Sequence, residues 1–408
     1  MNIWILNHYA VSPDISGGTR HYDLGKELVE RNYNVIIFAS SFHYSQHREM
    51  KLVRGERWKL EEINGVKFIW LKTFSYQKND WRRVLNMVSY SFSSYLLGRK
   101  ITRIEPSIFK PDVIIGSSVH LLAVLSAYWL SKYYRAKFIM EVRDLWPQTL
   151  IDLGALSKNN LFIRDLRALE KFLYKRAKRI ITLLPKASNY IANYRVNREK
   201  IVWIPNGVDL ERFKNIKKEK LDSQFRVLYL GAFGRTNALD IVLKAAKIIQ
   251  DEGYKEIKFA LVGDGEEKLK LVRQKERLNL KNVEFGNPIS KDNVPEFLQK
   301  ADVALFNLAK VAVFKYGISS NKLFDYLASG KPIVFSVNAP NRIIEESGCG
   351  ISIPPEEPET MAKAIIQLYR TPLEEREEMG RKGREYVEKY HSIPVLVDKL
   401  EKVIQEIT

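Results

Sequence analysis

The sequence predicts an α/β protein built from two doubly wound domains that face each other across a central cleft. Three observations predict it. Short, continuous apolar runs alternate with helical stretches, the pattern of parallel strands covered on both faces. That alternation restarts after a polar run, Lys214–Gln224. Glycine clusters then follow several of the strands, at the ends where open α/β sheets bind ligands.

In the first half, Asn2–Leu6 reads as a buried strand, followed by a loop holding Gly17-Gly18 and a helix from Arg20 to Arg31. Further strands are expected at Asn34–Ala39, Val66–Leu71, Asp112–Ile115, Lys137–Val142 and Arg179–Leu184. Helical stretches fall between them at Arg82–Arg103, Leu121–Tyr134 and Leu161–Lys178. The second half places strands at Arg226–Leu230, Ile257–Val262, Asn282–Phe285, Val303–Phe306 and Pro332–Phe335. Its helices are Leu239–Asp251, Glu266–Leu278, Val294–Lys300, Asn321–Ala328 and Pro358–Tyr369, and the tail from Leu373 to Thr408 is helical and charged. This gives domains at 1–204 and 205–385, with residues 386–408 as a helix packing back on the first.

Composition narrows the class. The 408 residues are 45% hydrophobic and 28% charged, which describes a folded globular chain. Cys349 is the only cysteine, so neither a disulfide framework nor a cysteine-rich zinc site is open to it. The N-terminal Met1–Leu6 lacks a basic segment before a long apolar one, so no signal peptide is expected. The longest apolar run, Leu121–Leu130, is broken by Ser126 and falls short of the ~20 residues that span a bilayer. The expected location is cytoplasmic, peripheral on a membrane. The net charge of +18 is uneven: residues 1–200 carry 33 basic and 17 acidic side chains, and residues 201–408 carry 33 and 31. An anionic partner is therefore expected on the first half.

The chemistry-bearing motifs lie at strand ends. Ser16-Gly17-Gly18-Thr19-Arg20 opens the first helix, where paired glycines let backbone N–H groups approach an anion; a tight turn capped by Thr19 is the alternative. Neither G-x-G-x-x-G nor G-x-x-x-x-G-K-[ST] occurs at that loop, which weakens a nicotinamide enzyme or a P-loop ATPase. The second half holds Pro205-Asn206-Gly207-Val208-Asp209, Gly231-Ala232-Phe233-Gly234-Arg235, Gly263-Asp264-Gly265 and the stretch Gly317–Pro332. Each alone could be turn chemistry; their joint order is hard to attribute to turns.

Together these motifs resemble the family 4 retaining glycosyltransferases of the GT-B fold, over essentially the whole chain. Glu141-Val142-Arg143-Asp144-Leu145-Trp146-Pro147 and Ser320–Tyr326 resemble segments of bacterial fucosamine-transferase-like enzymes of surface-polysaccharide (O-antigen or capsule) assembly. The resemblance implies two Rossmann-like domains, with acceptor bound by the first and nucleotide sugar by the second. It also implies transfer of a sugar, an N-acetylated amino sugar in this subgroup, from a UDP-sugar to a lipid-linked, polyprenyl-diphosphate saccharide. Retention of configuration and no cofactor or obligatory metal are implied as well.

Without a metal, a leaving diphosphate needs N–H groups, a helix N-terminus and fixed cations. Lys322 and Arg235 are the cations at suitable strand ends, and Ile318–Lys322 supplies N–H groups. Asp325, one turn after Lys322, is suited to ribose hydroxyls; a surface Lys322–Asp325 ion pair is the alternative. The expected donor-binding set is Gly17, Gly18, Thr19, Asn206, Gly234, Arg235, Gly263, Asp264, Asn287, Ile289, Ser319, Ser320 and Asn321. The expected catalytic set is Arg143, Asp144, Lys322 and Asp325. The chain departs from the family's E-x7-E pattern, with Gly317 in the first position and Asp325 in the second. Its usual arginine and lysine fall at Ala232 and Asn237, and its N-terminal-domain histidine at Arg143. Front-face attack assisted by the leaving phosphate is then the expected route, with Asp144 as the alternative base.

His8, His21 and His120 show no metal-ligand spacing, and Cys349 reads as a packed small hydrophobe. In the basic half, Trp81, Arg82, Arg83, Arg99, Lys100, Arg164, Arg167 and Lys171 are expected on a face toward an anionic membrane and its lipid-linked acceptor. A solvated helix face is the bland alternative. Two competing functions are a nucleotide-sugar epimerase on the same scaffold and a nucleic-acid-binding protein. The first would want more carboxylates and histidines in the cleft. The second has no recognisable module, so no nucleic acid is expected.

Overall fold

The computed structural model describes residues 1–78, 80–118, 120–214 and 224–408. The polar run expected as a linker, Lys214–Gln224, falls outside the described residues at 215–223. Two sheets form the frame. The first runs Ile201–Trp203, Arg179–Thr182, Lys137–Val142, Val113–Ser118, Asn2–Leu6, Asn34–Ser40, Val66–Leu71, Trp58–Ile63. All its neighbours pair in parallel except the last two, which are antiparallel. The second runs Val283–Gly286, Ile257–Val262, Phe225–Leu230, Val303–Asn307, Ile333–Ser336, Gly350–Ile353, all parallel. Its spatial order, 3-2-1-4-5-6 in chain order, is that of dinucleotide-binding doubly wound sheets. These are two α/β domains of the GT-B fold.

Burial explains why apolar runs became strands. Ile3–Leu6, Val35–Ala39 and Val303–Phe306 are at most 3% exposed, because helices cover both faces. In the first domain one face packs under Leu121–Tyr134 and Leu161–Arg176, with Val124, Leu130 and Leu173 in contact with Trp4, Phe38 and Met140. The opposite face packs under Arg20–Glu30 and, from the far end of the chain, Ile393–Gln405. Leu396, Leu400 and Val403 of that last helix join Ile3, Leu24 and Leu28 in one core. Arg31 fixes its outer edge, reaching Asp398 at 2.7 Å and Glu401 at 3.0 Å.

Four expectations are corrected. Trp58–Ile63, expected as no element, is an antiparallel edge strand. Its signal was Asn64-Gly65, both at positive φ (48° and 78°), the two-residue turn that closes a hairpin at Ile63 and Val66. Arg82–Arg103 is not one helix: it ends at Gly98 and a separate turn covers Ile101–Ile104. A Cβ at Gly98 would stand 2.7 Å from Leu130, so that glycine serves helix packing as well as termination. The charged tail is two helices, Leu373–His391 and Ile393–Gln405, broken where Pro394 enters the first turn of the second. The return to the first domain therefore starts at Ile393 rather than at 386. Finally, Leu161–Lys178 stops at Arg176, so Lys178 lies beyond the helix.

Candidate active site between the two domains

The carboxyl ends of both sheets enclose a cleft of about 350 Å³. From the first domain come Ser16, Gly17 and Gly18, then Tyr44, Ser45 and Gln46. From the second come the turns after its first three strands (Gly231-Ala232, Gly263-Asp264, Pro288-Ile289) and the start of the Asn321–Ala328 helix. The sheet order explains the location: Phe225–Leu230 is flanked by strands that leave in opposite directions, so the helices diverge and the crevice opens there.

The glycines hold the walls close. Gly231, Gly263 and Gly265 have φ of 153°, 152° and 154°, which L side chains rarely adopt. A Cβ on Gly263 would overlap the Gly231 carbonyl oxygen. Across the cleft, a Cβ on Gly18 would overlap the Asn321 amide, so the two domains meet backbone to side chain at that point. Gly18→Ala is expected to push Asn321 aside and weaken nucleotide binding at least several-fold, with the melting temperature nearly unchanged. Equal affinity for wild type and variant in a calorimetric titration would dismiss the contact.

Lys322 is the cation of the pocket. Its Nζ donates to Tyr229 Oη at 3.0 Å and Asn237 Oδ1 at 2.6 Å, and it lies 4.4 Å and 4.9 Å from the Tyr229 and Phe306 ring centres. No carboxylate faces it among the described ion pairs. Loss of hydration inside these walls lowers its pKa from the usual lysine range to about 7. The helix it opens presents first-turn N–H groups without helical partners. Ser320 caps that helix by position and makes no side-chain cap bond. A positive helix end and one amine thus point into a glycine-walled cavity, the arrangement that receives a phosphate.

The alternative Lys322–Asp325 ion pair does not form. Asp325 is buried and both its oxygens accept from Lys291 Nζ, each at 2.6 Å. Both residues line the cleft, and Lys291 carried no signal in the sequence beyond its charge.

The remaining expected donor residues divide. Gly17, Gly18, Gly263, Asp264, Ile289, Ser320 and Asn321 line the cleft with Lys322 and Asp325. Asn206 and Ser319 stand behind it and bond each other: the Asn206 backbone N–H donates to Ser319 Oγ at 2.8 Å, which joins the interdomain segment to the nucleotide loop. Thr19 is a correction, since its hydroxyl turns inward and donates to Asp23 Oδ2 at 2.6 Å. Arg235 is another. Its side chain is 82% exposed and lies 3.6–3.7 Å from Glu266 and Glu267, outside the cleft lining. Gly234 and Asn287 also lie outside that lining. Gly317, in the position of a family glutamate, has φ 104° and packs where a Cβ would overlap Pro185.

Arg143 and Asp144 follow the Lys137–Val142 strand and do not line the cleft. Asp144 is exposed, yet loss of hydration among the surrounding protein raises its pKa, with Arg143 opposing the rise. Just before them, Glu141 is fully engaged: it accepts from Arg20 Nε at 2.9 Å, His21 Nε2 at 2.6 Å and Ser117 Oγ at 2.6 Å. Arg20 also donates to the carbonyls of Ile204 and Pro205, so this buried group fixes the start of the interdomain segment. Arg212 continues the link, bonding Asp23 at 2.6 Å.

On the opposite surface of the first domain, the Trp81–Gly98 helix exposes Trp81, Leu85, Phe92 and Leu96 at four- and seven-residue spacings, one apolar stripe. Trp129 and Tyr133 of the neighbouring helix extend it, with Tyr95 and Trp129 rings 5.6 Å apart. Arg82, Arg99 and Lys100 border the stripe, and Arg164, Arg167 and Lys171 are exposed on the next helix. Arg83 does not belong to that surface; it turns inward among Tyr9, Tyr44 and Tyr76. Among the described residues, no helix is long and apolar enough to cross a membrane.

Comparison with known proteins agrees with this geometry. Residues 16–212 match the model of Glycosyltransferase Family 4, and residues 211–386 match that of Glycosyl transferases group 1. A probable glycosyltransferase, WbjE of Pseudomonas aeruginosa, is 26% identical over 318 residues, covering 72% of this chain and 75% of the relative. The putative colanic acid biosynthesis glycosyl transferase WcaI of Escherichia coli K12 is 23% identical over 397 residues and 93% of both chains. Anabaena Alr3699/HepE, solved with UDP and glucose, superposes over 99% of both chains with a TM-score of 0.69 at 13% identity. The chain is therefore a glycosyltransferase of the GT-B fold, with a family 4 domain followed by a group 1 glycosyl transferase domain.

Proposed function

We propose that this enzyme is a retaining, metal-independent transferase that moves a sugar from a UDP-sugar to a lipid-linked saccharide during bacterial polysaccharide assembly. One observation carries the donor side: Lys322 and the N-terminus of its helix face the Gly17-Gly18 loop across a single narrow cleft. When the glycosidic bond to the diphosphate breaks, negative charge builds on the departing oxygens. A fixed amine and oriented N–H groups stabilise that charge without reorganising, and favour bond breaking over mere binding. Asp325, held by Lys291, lines the same wall one turn further along, and in this reading it takes the nucleoside hydroxyls. The complex of HepE with UDP and glucose supports a nucleotide-sugar donor, and the colanic acid assignment of WcaI supports polysaccharide assembly. The N-acetylated amino sugar rests on the resemblance to fucosamine transferases.

The acceptor side rests on the Trp81–Leu96 stripe and its basic border, the composition of a surface that settles at an anionic leaflet. Such docking would bring a polyprenyl-diphosphate acceptor to the mouth of the cleft from the inner face of the cell membrane. The epimerase and nucleic-acid alternatives gain no support from the matched families. A thermal-shift and product screen across UDP-, GDP- and dTDP-sugars tests the donor, with stabilisation by UDP sugars expected and a preference for GDP overturning it. Co-sedimentation with anionic vesicles at low salt tests the membrane; a Phe92→Ser/Leu96→Ser variant should lose vesicle binding and keep UDP binding. Indifference of the wild type to vesicles would refute the docking.

A further inference from the structure

Thr19 turns its hydroxyl away from the cleft, and the carboxylate it meets leads to the other domain. Thr19 donates to Asp23 Oδ2 at 2.6 Å, while Asp23 Oδ1 accepts from Arg212 Nη2 at 2.6 Å. Thr19 follows Gly18, the residue that meets Asn321 across the cleft, so Asp23 backs the first domain's wall.

Arg212 lies in the single turn Leu210–Phe213 of the connection between the domains. Its Nε stands 3.4 Å from Asp292 Oδ1. Asp292 belongs to the Lys291–Asn293 turn of the second domain, and its neighbour Lys291 holds both oxygens of Asp325. Pro288, Ile289, Lys291 and Val294 of this segment line the donor cleft. Asp292 lines a different, open groove together with Arg212. One guanidinium thus reaches both walls from behind, through Asp23 and Thr19 on one side and through Asp292 and Lys291 on the other.

The two contacts differ in kind. Asp23 is 5% exposed, so losing its partner strands a buried charge. Asp292 is 60% exposed and its pair is longer, so that contact adds little to stability. Burial would lower the pKa of Arg212; Asp23 outweighs it, with Asp209 and Asp292, and the guanidinium keeps its charge. Holding two carboxylates at a set separation suits a planar fork of donors better than a single ammonium.

We infer that Arg212 is a positioning residue for donor binding, which sets the spacing of the two cleft walls by holding Asp23 and Asp292 on one guanidinium. The inference rests on the donor reading and goes beyond it, because neither Arg212 nor Asp292 lines the cleft. Asp292 gives the role a sign. It is an anion beside Lys291, so by charge alone Asp292→Asn should tighten the binding of a diphosphate. If Asp292 holds a wall in place, the same change should loosen it.

The test titrates UDP into the full chain by calorimetry. Asp292→Asn should weaken binding about two- to fivefold, the scale of one exposed ion pair, with the melting temperature nearly unchanged. Asp292→Glu, which keeps the charge, should restore most of the affinity. Arg212→Gln should weaken binding further and lower stability, since Asp23 is then stranded. The double variant Arg212→Gln/Asp292→Asn should bind no more weakly than Arg212→Gln, because the pair is already broken. Asp292→Asn binding UDP as well as wild type or better, or losses that simply add, overturns the positioning role. Should Arg212→Gln fail to fold, the Asp292→Asn result decides alone. A wild type that does not bind UDP would instead overturn the donor reading on which the inference stands.

Discussion

Replacing Lys322 with alanine is expected to lower kcat/KM for the sugar donor on the order of 10²–10³-fold, the usual cost of removing one preorganised charge from a departing anion. The fold should survive, because Lys322 contributes two hydrogen bonds at the cleft wall rather than core packing. A sharper signature lies in the pH dependence. In the empty protein the amine titrates near pH 7. A bound diphosphate favours the ammonium form and raises that pKa, so binding takes up a proton at neutral pH and above. Affinity for a UDP-sugar, whose esterified diphosphate does not titrate in this range, should therefore be flat below about pH 6 in the wild type and weaken above pH 7, by up to about tenfold per unit until the pKa of the complex is reached. Lys322→Arg carries a charge that does not titrate in this range, so its affinity should show a flatter profile. Calorimetry in buffers of different ionisation enthalpy reads the proton uptake directly. A wild-type affinity that is level from pH 6 to 9 would remove Lys322 from the phosphate site.

Much of the fold was legible because parallel strands covered on both faces must be apolar throughout. Asn2–Leu6, Lys137–Val142 and Ile257–Val262 coincide with their expected bounds for that reason. Leu121–Tyr134 and Asn321–Ala328 were equally clear, each being bounded by polar or glycine-rich turns. Edge strands were not legible. Trp58–Ile63 is half-exposed and carries Lys59, Glu61 and Glu62, so its composition matches a loop, and only the Asn64-Gly65 turn marked it. Ile201–Trp203 and Gly350–Ile353 are three and four residues long and end their sheets, too short for a period to show.

The site was legible where backbone carries the function and obscure where side chains do. Gly17-Gly18 and Gly263-Asp264 line the cleft because only glycine tolerates those close approaches. Side-chain direction is another matter. Thr19 and Arg235 sit beside lining residues in sequence and point elsewhere, Thr19 to Asp23 and Arg235 to solvent. Arg82 and Arg83 are adjacent on one helix, yet one borders a surface stripe and the other enters a buried cluster. One residue of helix rotates a side chain by ~100°, and no composition argument recovers that angle without the neighbouring elements. Tyr44, Gln46 and Lys291 were missed for the same reason, since each reaches the cleft from a segment with no motif of its own.

The second large effect is structural, and Glu141→Gln should reveal it. Glu141 is 3% exposed and Arg20 is 4% exposed, so the carboxylate compensates a guanidinium that water cannot reach. Burial alone would raise the Glu141 pKa; His21 and Arg20 outweigh it and hold the carboxyl well below its usual range. His21 contributes as a neutral ring, because Asn7 lies 2.8 Å from its Nδ1 and the carboxylate accepts from Nε2. Its pKa is lowered, chiefly by burial. Glutamine keeps the shape, removes the charge and presents an NH₂ group either where His21 and Ser117 both donate or where Arg20 does. The expected cost is about 3–5 kcal/mol, the penalty for leaving a buried charge unpaired. Replacing both partners, Arg20→Met with Glu141→Leu, should cost less than the single change, since no charge is then stranded. The double variant nevertheless loses the bonds from Arg20 to Ile204 and Pro205, so its UDP affinity should fall even where its stability recovers. The contribution of Glu141 is present above its unfolded pKa and is lost as pH falls through its depressed folded value. Urea midpoints should therefore differ by the same amount at pH 6 and pH 8. A single variant as stable as wild type at both would show that Arg20 is compensated elsewhere.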